Sequence, residues 1–131
     1  MTPEQRTLVE YRLGRAREAI DEASVLFEAG HVYAYVNRLY YACFYAMSAL
    51  LLTRGVSTNR HSHLRGLLHK EFVRTGLIPV EYGQFFDLLY NNRQKGHYSD
   101  LVVFEAEQVQ EWLSEAREFV EFVSGLASRE A

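Results

Sequence analysis

The chain is short of the residues that several fold classes depend on. Its 131 residues include one cysteine, Cys43, set in an apolar run. That excludes a disulfide framework and fits a reducing, cytoplasmic location. There are two prolines, and the glycines fall mostly between periodic stretches, so the chain reads as helices with short punctuation. No stretch of useful length alternates apolar and polar residues as a strand does, and neither an internal repeat nor a low-complexity tract is visible. The longest apolar run, LYYACFYAMSALLL (Leu39 to Leu52, framed by Arg38 and Arg54), has 14 residues. A membrane helix needs about 20, so this run is expected to be a buried helix, with no membrane partner. The N-terminal MTPEQRTLVEYR carries no apolar signal core. A net charge of −3 supplies no global pull toward nucleic acid.

Motifs of familiar chemistry are missing too. There is no Gly-rich phosphate loop, no Gly-x-Ser-x-Gly elbow and no paired Cys motif. Cys43 has no basic neighbour in sequence, and packing explains it better than nucleophilic catalysis. His61, His63 and His69 could ligate a metal in principle, but no carboxylate or Cys at matching spacing supports them, so no metal and no cofactor is expected. Glu28 and His31 have the Glu-x-x-His spacing of a di-iron bundle once, where two are needed, and Gly30 lies between them.

What is present is apolar and aromatic residue in quantity. At 48% hydrophobic and 14% aromatic, the chain is too rich in core formers to be disordered, and its length suits one domain over 1–131. Thr2 is a candidate N-cap, with Pro3 at the first helical position and Gln5 placed to complete a capping box. Val9, Leu13, Ala16, Ile20, Ala23 and Phe27 then share a face until Gly30. A second helix carries Val36, Leu39, Cys43, Met47 and Leu50 and stops at Gly55; apolar nearly all round, it is expected to be central. A third runs from about Asn59 to Thr75, closed by Gly76. A fourth opens at Pro79 and ends near Gly96, and a fifth spans about Glu105 to Ala127 with a Glu-rich outer face. The spacing predicts an all-α, up-and-down bundle of about five helices.

Charge is unevenly spread. Arg54, Arg60, Arg65, Lys70 and Arg74 share their stretch with one acid, Glu71, while the last quarter is acidic. A basic zone beside an acidic helix could hold an RNA or nucleotide phosphate; for a charge run alone, a solvated helix surface or partner interface is the simpler account. In NNRQKGHYSD (Asn91 to Asp100), Arg93 and His97 stand four apart and would share a helical face. Arg offers a fixed fork to phosphate oxygens, and His passes protons near neutral pH. From spacing alone, a helix C-terminus that favours Arg93, Lys95 and His97 as cations is the simpler account.

Three segments taken together resemble the HEPN family (higher eukaryotes and prokaryotes nucleotide-binding), in its small stand-alone prokaryotic branch associated with minimal nucleotidyltransferases. They are NRLYYACFYAMSALLLTRG (Asn37 to Gly55), RHSHLRGLLHKEFVRTG (Arg60 to Gly76), and NRQKGHYSD with the following acidic helix that ends EAREFVEFV. The resemblance implies a helical bundle, a homodimer, and a toxin of toxin–antitoxin type that acts as a metal-independent endoribonuclease. It implies Arg93 as phosphate clamp and His97 as general acid–base. Tyr98 becomes a helper or a site of modification by the nucleotidyltransferase, and Asn92 and Lys95 candidate phosphate contacts. Arg38 is either a second phosphate contact or, the commoner fate of one Arg on an apolar helix, a structural ion pair to a carboxylate. The spacing here is short: three residues separate Arg93 from His97, and Asn92 stands where Arg would give four. The alternative is a non-catalytic module that binds a nucleotide or docks a nucleotidyltransferase.

Overall fold

The structure is a computed structural model. It describes the backbone of residues 1–98 and 104–130, and the side chains of residues 1–93 and 104–130. It is all-α in those residues: α1 (Pro3–Glu28), α2 (Val32–Thr53), α3 (His61–Leu67, continuing as a π-helical turn over Leu68–Val73), α4 (Val80–Tyr98), a short α5 (Ala106–Val109) and α6 (Trp112–Glu130).

Local chemistry sets the boundaries of these helices. Thr2 caps α1 as a full capping box: its Oγ accepts from Gln5 N at 3.1 Å, and the Gln5 side chain accepts from Thr2 N at 2.9 Å. Gly30, Gly55 and Gly76 stop α1, α2 and α3 at φ of 84°, 77° and 83°, a region glycine enters without a Cβ penalty. Gly96 does not act as the expected stop, because α4 continues through it to Tyr98. A glycine in a helix costs about 1 kcal/mol against Ala but leaves the backbone free to stay helical. The expected fifth helix is likewise broken: Gln110 and Glu111 form a turn between α5 and α6.

The central position expected for α2 is observed. It packs along α1, α4 and α6, and Leu39, Cys43, Met47 and Leu50 are fully buried. The buried stripes of α1 (Val9, Leu13, Ala16, Ile20, Ala23) and α6 (Ala116, Val120, Val123) fall at the positions their periodicity marks. Buried Tyr35 of α2 donates its hydroxyl to the Val109 carbonyl at 2.7 Å, tying the α5 turn to the core. Burial pushes this phenol up to about 12, so it remains a donor. The π turn in α3 presents His69 to Asp87 of α4 at 2.9 Å, where Arg65 also pairs at 2.7 Å. Gly83 of α4 passes close beneath: a Cβ there would sit 3.0 Å from Val73 Cγ2 and 3.1 Å from His69 Cε1. No helix among the described residues is long and apolar enough to cross a membrane.

Candidate phosphate site on the central helix

The central helix is apolar on most of its surface but turns Arg38, Tyr41 and Tyr45 to a half-buried face. These positions recur at i, i+3 and i+7, one side of a helix. Across from them α4 supplies Arg93. Its Nη2 donates to the Tyr41 hydroxyl at 3.1 Å, and its guanidinium lies over two rings, 5.3 Å from the centroid of Tyr40 and 5.4 Å from that of Tyr41. Arg38 meets the Tyr41 ring as well, at 5.5 Å. Two guanidinium groups from different helices thus converge on one tyrosine. Rings hold a cation without neutralising it, which leaves its charge available to an anion.

The two cations are differently satisfied. Arg38 Nε lies 3.4 Å from Glu22 Oε1 of α1, the structural ion pair that a lone Arg on an apolar helix invites. The contact is close but not aligned for donation, so buried Nε and Nη2 have no hydrogen-bond partner among the described residues. Arg93 has no carboxylate in ion-pair range among the described residues. Asn92, one residue earlier, turns its Nδ2 back to the Leu88 carbonyl of its own helix at 2.7 Å. The side chains of Lys95, His97 and Tyr98 lie outside the described residues. Their backbone belongs to α4, and position 97 follows Arg93 by one helical turn.

A histidine not singled out for this site is nevertheless part of it. His61, first residue of α3, stacks on Phe44 with centroids 4.5 Å apart and on Tyr40 at 5.6 Å, and its Nδ1 lies 2.7 Å from the Tyr40 hydroxyl. Burial and then the positive charge of Arg93 lower its pKa, so the imidazole is neutral at neutral pH. Burial holds the Tyr40 phenol well above its usual range. It therefore stays protonated and can donate to Nδ1, leaving Nε2 to carry the ring hydrogen. The other two histidines of that stretch turn elsewhere: His63 to Thr58 Oγ1 at 3.1 Å, His69 to Asp87. Cys43 is fully buried and its thiol is pushed far up, which removes it as a nucleophile at neutral pH.

The basic stretch around α3 is partly neutralised by the fold. Arg54 forks onto both Glu130 oxygens at 3.1 Å and covers the Phe72 ring at 4.4 Å, and Arg65 is tied to Asp87. Among the described residues the Arg93–Arg38 pair on its tyrosine platform is therefore a stronger candidate for an anion than the α3 charge run.

The fold and site define a small all-α bundle that sets an arginine of α4, with no carboxylate in ion-pair range among the described residues, against the aromatic face of its central helix. Residues 9–126 match the HEPN domain model, and the chain belongs to this family. A UPF0332 protein of Thermotoga maritima is 39% identical over 94% of this chain and 93% of its own length. Two proteins of Methanocaldococcus jannaschii are similar as well. One, named "Putative toxin MJ0142", is 27% identical over 86% of this chain and 76% of its own length. The other, "Putative toxin MJ0605", is 33% identical over 70% of this chain and 75% of its own length.

Proposed function

We infer that this protein is a toxin of toxin–antitoxin type that cuts RNA without a metal, with Arg93 and His97 as its working pair. The observation that carries the reading is the state of Arg93. It is fixed by two rings and one hydroxyl, has no described carboxylate beside it, and sits one helical turn before His97 on continuous α4. The toxin names of two relatives support the class.

In the reaction a ribose 2′-oxygen attacks the adjacent phosphorus, forming the P–O2′ bond as the P–O5′ bond breaks. The 2′-proton goes to the unprotonated imidazole of His97, and O5′ leaves with a proton returned by the imidazolium so formed, giving 2′,3′-cyclic phosphate and 5′-hydroxyl ends. Arg93 stabilises the charge that builds on the non-bridging oxygens, with Arg38 across Tyr41 as second cation and Asn92, Lys95 and Tyr98 as neighbours of the scissile strand. A cytoplasmic homodimer would set two such pairs in one cleft, and a minimal nucleotidyltransferase is the partner this reading expects. A second reading rests on the same arginine. Because its guanidinium is already engaged by Tyr41, the site could hold a nucleotide or dock a nucleotidyltransferase without cutting.

The deciding experiment incubates wild type, Arg93→Met and His97→Ala with total RNA and tRNA in EDTA. Cyclic phosphate ends from wild type alone are expected. A wild type that is folded yet leaves RNA intact sinks the nuclease and leaves the binding module.

A further inference from the structure

Phe44, the ring on which His61 stacks, also lines a basic hollow. This hollow is a groove of about 810 Å³ between α1 and the turn that follows α2, with Arg12, Arg15, Phe44, Tyr45, Ser57 and Asn59 among its walls and no carboxylate among the described lining residues. Arg12 reaches across it, donating from Nη1 to the Ser48 carbonyl at 3.2 Å and from Nη2 to Ser57 Oγ at 3.3 Å. It therefore ties α1 to two neutral acceptors and has no carboxylate in ion-pair range among the described residues. Burial lowers its pKa, the mark of a cation whose lost hydration has not been replaced by an opposite charge. Arg15 lies over the Tyr45 ring at 5.3 Å; its ion pair with Glu18 at 3.2 Å is with a largely solvent-exposed carboxylate and offsets little. The Glu22 carboxylate also acts on it, without forming an ion pair among the described residues. Tyr11, one turn before Arg15 on α1, also lines the groove and is 63% exposed.

Two arginines, hydroxyl and amide donors, and an exposed aromatic ring form one set of chemistry. The donors suit phosphate oxygens, and the ring offers a face to a base. We propose that this groove binds a nucleotide unit, its phosphate on Arg12 and Arg15 and its base against Tyr11. The unit comes either as a free nucleotide or as part of an RNA strand. The ring contact of Tyr45 with Tyr41, 5.9 Å between centroids, places the groove next to the Arg93 platform, so a strand held at Arg93 can continue into it. Groove binding does not depend on cleavage at Arg93.

The test uses the full chain carrying His97→Ala, so that RNA stays intact, with two probes: mant-ADP and a fluorescein-labelled ten-nucleotide oligo(A) RNA. Arg12→Met and Arg15→Met should each weaken the bound probe about tenfold, as expected for one charge-assisted contact. For the oligonucleotide, each should also flatten the dependence of log K on log salt by about 0.7. Tyr11→Ala, an exposed ring whose loss leaves the core intact, should cost about fivefold or more. Groove-dependent binding of mant-ADP assigns a free nucleotide; groove-dependent binding of the oligonucleotide alone assigns a strand. Wild-type affinity in both Arg12→Met and Tyr11→Ala, or no binding of either probe, overturns the proposal. Adding Arg93→Met separates the two sites: it should abolish cutting in the wild-type background and leave mant-ADP binding at the groove unchanged.

Discussion

At the scale of residues, the informative side chains are those whose chemistry depends on a distant neighbour. His61 is the clearest. Its partner Tyr40 stands 21 residues earlier on a different helix, and nothing in HSH separates it from an exposed histidine. The fold depresses its pKa, first by burial and then through Arg93. The unfolded chain therefore binds a proton more readily than the native one, so stability must fall as pH drops below about 6.5, the unperturbed value, until the lowered folded pKa is passed. Urea midpoints of wild type and His61→Gln, taken from pH 7.5 downward, should approach one another in that window. A constant gap would mean that His61 is not the proton-linked group. Arg93 was legible as a phosphate candidate because Arg and His at helical spacing suggest one. What holds it was not legible, since Tyr40 and Tyr41 read equally well as core aromatics. Arg93→Lys keeps the charge but loses the planar stack and the aligned Nη2 donor, so cleavage should drop about 100-fold while the fold persists. Initial rates on tRNA check this, and a Lys variant as active as wild type would reduce Arg93 to a point charge.

Elements show where periodicity works and where it stops. The capping box at Thr2 and the three positive-φ glycines that end α1 to α3 follow from local chemistry, and each is where the sequence pattern marks it. Thr2→Ala should cost about 1 kcal/mol, read by chemical denaturation; no loss would mean that the start of α1 frays in solution. Gly83 is the contrary case. Inside α4 it looks like a weak point that Ala should improve by up to about 1 kcal/mol. The π turn of α3 reverses that expectation, because the new Cβ meets Val73 and His69 at 3.0 and 3.1 Å, and His69 is held by Asp87. Gly83→Ala should therefore destabilise by about 1 kcal/mol, and the same change in a Val73→Ala, His69→Ala background, which removes both contacts, should be neutral or stabilising. Equal effects in both backgrounds would show that the π turn yields easily.

The whole molecule sets charges against one another in ways no window of sequence displays. Arg54 finds Glu130 across 76 residues, and Arg65 finds Asp87, so the α3 charge run loses two of its five Lys and Arg side chains to ion pairs. Among the described residues Arg12, Arg38 and Arg93 have no hydrogen-bonded carboxylate; Arg38 and Arg93 lie on the tyrosine face of α2, and Arg12 bonds to Ser48 of the same helix. If two copies share that face, cleavage per protein should fall on dilution in step with the dimer fraction measured by sedimentation velocity. A rate independent of dilution while the dimer dissociates would assign the reaction to a single chain.

By itself, then, the sequence determined the helical class, the central place of α2, most of the buried stripes and the family. Each of these rests on short-range periodicity, on caps, or on patterns that stay recognisable along the chain. Only the tertiary structure decided that α4 runs past Gly96, that the final helix breaks at Gln110 and Glu111, and which cations remain unneutralised. The physical reason is distance in sequence. Propensities act over a helical turn, whereas neutralising a guanidinium, stacking an imidazole or closing a groove requires side chains that only packing brings together.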